Sequence, residues 1–270
     1  MRLAFIWYWD RASEIYPNWR DGLRAALEEI EKEHEVKWYM DKNVPDPKEE
    51  FDFILFWDDS NSTFFQKLDD YKGRKGICLT TDPQNFSNLK KLDVVYCESD
   101  PIYNAVRSQG IRAVKAFGTD DKFYKPKDKE KDIPYFYPAT YSPWKRQSAI
   151  ANLGEKLWCV GTLQPDGRAE LEAVENGGCH VEIGYFTPEK IREYYDRAET
   201  VIVPAIHGSE RTVLEAMSMN CKVQVNPENK RASSYINEFE NSSETSPHEF
   251  IKKNYSAKKY AEALLKGMHE

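Results

Sequence analysis

No apolar run in this sequence is long enough to cross a bilayer, and the one that follows Met1, RLAFIWYW, lacks the small-residue cleavage site of a signal peptide. A cytoplasmic protein with no transmembrane segment is expected. Cysteine is scarce: Cys78, Cys97, Cys159, Cys179 and Cys221 are odd in number, scattered and never spaced C-x-x-C. Neither a disulfide framework nor a zinc site is indicated, and buried thiols are expected. His34, His180, His248 and His269 have no spacing suited to a metal. Positive charge is also short, with 38 Lys and Arg against 45 Asp and Glu and a net charge of −7. That removes the simple case of a basic nucleic-acid binder, although a local basic groove can sit on an acidic protein. Repeats at solenoid periods and low-complexity segments are absent too.

What is present is a composition of 40% hydrophobic and 31% charged residues, that of a soluble globule. A chain of 270 residues makes one large domain or two of ordinary size. Strand-like and helix-like segments alternate from the start: RLAFIW, an amphipathic stretch from Trp19 to His34, VKWYM and FDFILFW. FILFW, GICLTT, VVYCES and AVKAFG follow, with the helix-like FFQKLDDY and PIYNAVRSQG between some of them. Such continuous apolar runs suit parallel strands covered on both faces. The polar, charge-dense run KFYKPKDKEK then reads as a linker. A second series begins at IPYFYPA and continues through RQSAIANLGEK, LWCVGT, LEAVENG, HVEIGYF, PEKIREYYDRA, TVIVPA, TVLEAMSMN and KVQVN. Thr187 with Pro188, and Ser246 with Pro247, are helix-start signals, and Ile191, Tyr194, Tyr195 and Ala198 form an expected buried stripe. The tail from Ser256 to Met268 carries Tyr260, Ala261, Leu264 and Leu265 on one side, so it is expected to dock as a helix.

Two places carry chemistry. In VIVPAIHGSERTVLEAM a buried strand passes through a short Gly-Ser loop into a helix, where unpaired N–H groups point outward and a phosphate fits. The bland account is that Thr212 to Glu215 is a capping box and that Val213, Leu214 and Met217 form an ordinary core face. In YFYPATYSPWKRQ the chain leaves a strand, turns at Ser142-Pro143 and presents Lys145 and Arg146 at the start of the next helix-like stretch. Two cations there are electrostatically misplaced unless an anion sits among them, and otherwise they form a solvated pair after a turn.

A two-lobed βα chain that ends in an amphipathic helix, with the turn PATYSPWKR (Pro138–Arg146) and a helix reading TVLEAM, resembles the GT-B nucleotide-sugar glycosyltransferases. Among these it looks most like the retaining family 4 group. GTDDKFYKP (Gly118–Pro126) is similar to the G-V-D-T-x-x-F-x-P run that closes their amino-terminal lobe. The resemblance runs from Gly118 to about Val225 and covers the donor-binding lobe. It implies an α/β fold of two Rossmann-like βαβ lobes facing a cleft, with a C-terminal helix docking back. The divisions expected are an acceptor-side lobe over 1–124, a linker at 125–132, a donor lobe over 133–255 and the helix at 256–270.

The implied activity is metal-independent transfer of a sugar, with retention, from a nucleotide diphosphate sugar to a hydroxyl acceptor. The donor is a substrate and no other cofactor is implied; the acceptor is a glycan, lipid, small-molecule or nucleic-acid hydroxyl. Carried over residue by residue, the family's phosphate-binding lysine falls on Lys145 and its partner arginine on Thr140, so that Arg146 stands in for the missing contact. Of the family's two glutamates the first falls on His207, which would face the donor sugar or the departing diphosphate, and the second on Glu215, implied to hold the ribose hydroxyls. The backbone from Gly208 and Ser209 through Arg211, Thr212 and Val213 matches the diphosphate cradle.

The first series departs from the family, because its Gly-rich turn is replaced by WYWDRASEIYPNW, without a glycine before Gly22. Asp58 and Asp59, and Thr81 and Asp82, stand where strands end and an acceptor lies across the cleft, or are turn and cap residues. Trp7, Trp9 and Trp19 stack an acceptor ring or belong to the core. Two other functions fit the chain. One is a glycosyltransferase acting on hydroxymethylated pyrimidines of DNA through Lys115, Lys122, Lys125 and Lys127. The other is a catalytically degenerate nucleotide-binding module, suggested by His207 and Thr140.

Overall fold

The computed structural model describes residues 1–15, 19–79, 81–127 and 130–270. The chain divides into two compact units, Met1–Gly118 with Ala257–Glu270, and Thr119–Ser256. In the first unit the strands are β1 (Arg2–Trp7), β2 (Glu35–Tyr39), β3 (Phe53–Asp58), β4 (Arg74–Leu79), β5 (Val94–Cys97) and β6 (Ala113–Lys115). In the second they are β7 (Ile133–Pro138), β8 (Leu157–Gly161), β9 (His180–Ile183), β10 (Ala198–Val203) and β11 (Lys222–Val225). The helices are α1 (Ala12–Ile15), α2 (Gly22–Ile30), α3 (Phe86–Leu89), α4 (Asp100–Ser108), α5 (Arg168–Asn176), α6 (Pro188–Arg197), α7 (Glu210–Ser218), α8 (Lys230–Glu240), α9 (Pro247–Asn254) and α10 (Ala257–His269).

The first sheet is parallel, in the order β2-β1-β3-β4-β5-β6. Alternate residues of a strand face opposite sides. Ala4, Ile6, Ile54 and Phe56 therefore enter one buried cluster, while Leu3, Phe5, Trp7, Phe53 and Leu55 enter another beneath α2 and α10. Burial on both faces is why these strands read as unbroken apolar runs. The carboxyl-terminal helix α10 docks on this unit through Tyr260, Ala261, Leu264 and Met268, as its apolar stripe leads one to expect. The Tyr96 hydroxyl donates to Leu264 O at 2.9 Å, and Gly267 lies so close that a Cβ there would be 2.6 Å from the Tyr96 ring.

The second sheet is also parallel, in the order β11-β10-β7-β8-β9. Thr187 caps α6 by accepting from Lys190 N at 3.3 Å, with Pro188 at the first helical position, and Ser246 caps α9 in the same way. Within the expected α6 stripe Tyr194 and Tyr195 are buried and Ile191 is half-buried, whereas Ala198 is buried as the first residue of β10.

Some helix expectations differ in detail. The stretch from Trp19 to His34 is helical only over Gly22–Ile30, because the Asp21 carboxylate accepts from Arg24 N at 2.9 Å and fixes the start there. FFQKLDDY forms two short 3₁₀ turns, Thr63–Gln66 and Leu68–Asp70. RQSAIANLGEK is 3₁₀ over Gln147–Lys156 and is broken at Gly154, whose φ of 57° is left-handed. Of the expected linker at 125–132, residues 128 and 129 lie outside the described residues, as do residues 16–18 of the Trp-rich segment. Either side of 128–129 the chain is tied to the second unit, Lys127 N donating to Asp196 Oδ1 at 3.0 Å and Lys131 Nζ to Tyr195 O at 3.2 Å. Among the described residues no helix is long and apolar enough to cross a membrane, and no cluster of His, Cys, Asp or Glu is placed to hold a metal.

Candidate functional site

In the second unit the chain winds from β7 through β8 to β9 and then returns to the other side of β7 for β10 and β11. Strand order therefore reverses between β7 and β10, and in an open α/β sheet a ligand binds in the crevice beyond the carboxyl ends at such a reversal. The loops that leave β7 and β10 carry the two motifs singled out by sequence.

After β7, Pro143–Lys145 form a 3₁₀ turn in which Lys145 N donates to Ser142 O at 2.9 Å, and the buried Tyr137 hydroxyl donates to Lys145 O at 3.2 Å. The Lys145 ammonium is held against the other loop and donates to Ser209 Oγ at 2.8 Å. Burial lowers its pKa from the ordinary lysine value; Glu210 opposes that shift, and Arg211 and Arg231 add to it. Arg146 takes another course. Its left-handed backbone, φ 53°, turns the chain, and its half-exposed guanidinium pairs with Glu228 at 3.8 Å.

After β10 the chain passes through residues 204–209 into α7. Gly208 and Ser209 both adopt positive φ, 69° and 71°, a strained pairing that is routine only for glycine. Ser209 is the N-cap of α7, yet its side chain caps nothing, its hydroxyl being the acceptor for Lys145. The first intrahelical bond runs from Val213 N to Ser209 O at 3.1 Å. The amides that precede it belong to Glu210, Arg211 and Thr212, whereas the Val213 N–H, expected to face a diphosphate, is spent within the helix. Because α7 begins at Glu210, Thr212 and Glu215 do not form the capping box that the sequence allowed, while Val213, Leu214 and Met217 are core as expected. His207 is exposed on the loop.

Glu215 lies in the second turn of α7 and is 6% exposed, but its surroundings are polar. The Tyr195 hydroxyl donates to Oε2 at 3.1 Å, Arg211 Nε stands 3.4 Å from Oε1, and the Tyr124 hydroxyl also bonds to this carboxylate. Thr140, where the resembling family carries an arginine, pairs its hydroxyl with that of Thr162 at 3.2 Å, and its carbonyl accepts from Gln147 Nε2 at 2.9 Å.

Sequence reading missed a frame behind the 204–209 loop. Asn226 Nδ2 donates to Pro204 O at 3.0 Å, and Asn229 Nδ2 donates to Ala205 O at 3.1 Å and Gly208 O at 2.9 Å. Asn229 also caps α8, its Oδ1 accepting from Ala232 N at 3.1 Å. Glu210, in the first turn of α7, forms a buried ion pair with Arg231 of α8. The local signal was only Asn-Pro-Glu-Asn between a strand and a helix, which reads as a turn and a cap.

The first unit has its own reversal, between β1 and β3. Trp9 is 46% exposed there and stacks on the buried Trp7, which packs in turn on Trp57 and Trp19. Asp58 ends β3, and burial raises its carboxyl above the usual range, against hydrogen bonds from Ser62 and from Asp59 N. The Thr81 hydroxyl lies 3.5 Å from Asp82 O. Lys115 pairs with Asp100 at 2.7 Å. The cysteines are free; all but the half-buried Cys179 are buried, and burial pushes every one of these thiols up, which disfavours the thiolate form.

The sequence matches no family model, and no curated protein matches it either. Solved structures do. Trehalose-6-phosphate synthase OtsA is similar over 100% of this chain and 99% of its own, at a TM-score of 0.73 and 8% identity. AviGT4, a glycosyltransferase involved in avilamycin A biosynthesis, is similar over 99% of this chain and 97% of its own, at a TM-score of 0.68 and 11% identity. TarM from S. aureus, solved with UDP and α-GlcNAc-glycerol, shares 14% identity at a TM-score of 0.56 over 81% of this chain and 55% of its own. The fold is that of the GT-B glycosyltransferases, as the resemblance implied.

Proposed function

We propose that this chain transfers a sugar from a nucleotide diphosphate sugar to a hydroxyl acceptor, and that the diphosphate binds at the β7–β10 reversal of the second unit. The observation that carries the reading is the bond from Lys145 Nζ to Ser209 Oγ, which brings a cation and the amino end of α7 to one place at a strand-order reversal. The GT-B fold, shared with proteins that carry out glycosyl transfer, supports it.

The chemistry follows from charge. As the bond between the sugar's anomeric carbon and the phosphate oxygen breaks, negative charge develops on the leaving diphosphate. Lys145 and the amides of Ser209 to Thr212 stabilise that charge more than they stabilise the bound donor, which is what accelerates the step. Each charge-assisted bond contributes about 1.5–3 kcal/mol, and a helix terminus about 0.3–2 kcal/mol. The acceptor oxygen bonds to the anomeric carbon and its proton passes to the leaving phosphate oxygen on the same face, so configuration is retained without a catalytic carboxylate pair. In this reading Lys145 and the helix end supply the positive charge without a metal ion, and His207 faces the donor sugar or the departing diphosphate. Arg211, half exposed, swings from Glu215 to the diphosphate and leaves Oε1 to the ribose hydroxyls. Arg146 adds a second cation when it leaves Glu228.

The test is a thermal-shift screen against UDP, GDP, ADP, CDP and their sugars, followed by a transfer assay with the donor that binds. A donor that raises the melting temperature and yields a retained product is expected; no shift with any of them contradicts the assignment. A binding-only module is favoured by one observation, that Thr140 is spent on Thr162 where the resembling family keeps a cation. Binding without product from any donor would select it.

A further inference from the structure

We infer that Asn229, assisted by Asn226, is a positioning residue that aims the loop amides and Ser209 at the diphosphate; the inference rests on the donor site proposed above. Loop 204–209 cannot hold its own shape, because Gly208 and Ser209 sit consecutively at positive φ and the Ser209 side chain does not cap α7. The restraint comes from the segment between β11 and α8. Asn226 is itself fixed, its N–H donating to Val203 O at 2.9 Å, while Asn229 N donates to Asn226 O at 2.9 Å. From that base the two side-chain amides take up the carbonyls of Pro204, Ala205 and Gly208.

The Asn229 amide is held on all three of its hydrogen-bonding sides that the loop and helix use: its oxygen by Ala232 N, and its nitrogen by two loop carbonyls. It is also 0% exposed, so water does not compete for those bonds. A trans peptide is planar, with C=O and the following N–H pointing in opposite directions. Fastening Gly208 O to Asn229 therefore turns the Ser209 N–H away from Asn229, on the residue whose hydroxyl meets Lys145. The same frame neutralises an obstacle. Glu210 places a carboxylate in the first turn of α7, where it would repel an anion, and Arg231, two residues after Asn229, pairs with it in the interior.

The test separates positioning from folding. Asn229→Ser keeps a neutral N-cap for α8 but removes both donors to the loop. Calorimetry would compare UDP, GDP and ADP with uridine, guanosine and adenosine on the full chain, beside Lys145→Ala and Asn226→Ala. We expect Asn229→Ser to weaken the best-binding diphosphate about tenfold or more while its nucleoside stays within about twofold, and Asn226→Ala to show the same pattern at smaller size. A purely structural role would lower both affinities together, and that result would overturn the inference. So would unchanged diphosphate affinity in Asn229→Ser beside a loss in Lys145→Ala, an outcome that leaves the donor site standing. If Asn229→Ser does not fold, the Asn226→Ala ratio decides by the same criterion. Wild-type protein that binds no diphosphate overturns the site and the inference together.

Discussion

The two parallel sheets each reverse strand order once, beside their first strand, yet the loops at the two reversals have opposite chemistry. At the β1–β3 reversal the groups are the exposed Trp9 and Asp10–Lys42 pair and the partly buried Asp58, and the Asp21 carboxylate caps α2. At the β7–β10 reversal the groups are Lys145, two left-handed residues and a helix whose N-cap side chain is turned over to that lysine. One topology thus builds an edge suited to hydroxyl groups and an edge suited to an anion. The two helix starts differ accordingly: α2 has its own capping carboxylate, whereas the N-cap side chain of α7 is bonded to Lys145 instead.

The largest contrast lies in stability. Arg231→Met strands Glu210 in the interior of the second unit, and breaking a buried pair in this way costs about 3–5 kcal/mol in equilibrium denaturation. Lys42→Ala removes the exposed pair with Asp10 in the first unit and costs less than about 1 kcal/mol. Equal losses would erase the distinction between the two edges.

Much of this contrast was legible before the structure, and some was not. Parallel strands buried on both faces announce themselves as apolar runs, and Thr187-Pro188 and Ser246-Pro247 mark helix starts because a cap acts within a few residues of itself. Lys145 and the Gly208-Ser209 loop stood out as a candidate anion site because cations after a strand are costly without a partner, and the structure brings the two together. The start of α7 stayed open in the sequence, since Thr212 to Glu215 makes a plausible local cap, while the actual start at Glu210 follows two residues at positive φ in a loop whose carbonyls meet Asn229. Asn226, Asn229 and Arg231 carry no local pattern that points to a loop some twenty residues earlier. Lys145 and Arg146 looked equivalent as neighbours, but a left-handed turn at Arg146 gives them different partners.

Next in size, Lys145→Ala removes a charge-assisted contact worth about 1.5–3 kcal/mol, so affinity for a nucleoside diphosphate should fall about 10–100-fold by calorimetry. Asp58→Asn, at the other reversal, should leave that affinity within about twofold; a comparable loss there would show that the two edges do not divide the work as argued.

A smaller effect follows from pH. Burial lowers the Lys145 pKa, so the ammonium deprotonates at lower pH than an ordinary lysine. Diphosphate binding needs the charged form, and affinity should decline as pH rises through that lowered value, with no such decline in Lys145→Ala. Folding has the opposite sign: between the lowered folded pKa and the ordinary unfolded one the unfolded chain holds more protons, so this group's contribution to stability rises with pH. Wild-type and Lys145→Ala titrations that run parallel would refute the assignment. Smallest is Trp9→Ala, which should raise the acceptor KM by an amount matching an aromatic contact of about 0.5–1.5 kcal/mol while leaving donor affinity unchanged.

The most direct measurement is a crystal structure of the protein with the nucleoside diphosphate that binds best. The account predicts phosphate oxygens within hydrogen-bonding distance of Lys145 Nζ and of the Ser209 to Thr212 amides. Phosphates seated elsewhere, with Lys145 still bonded to Ser209 alone, would contradict it.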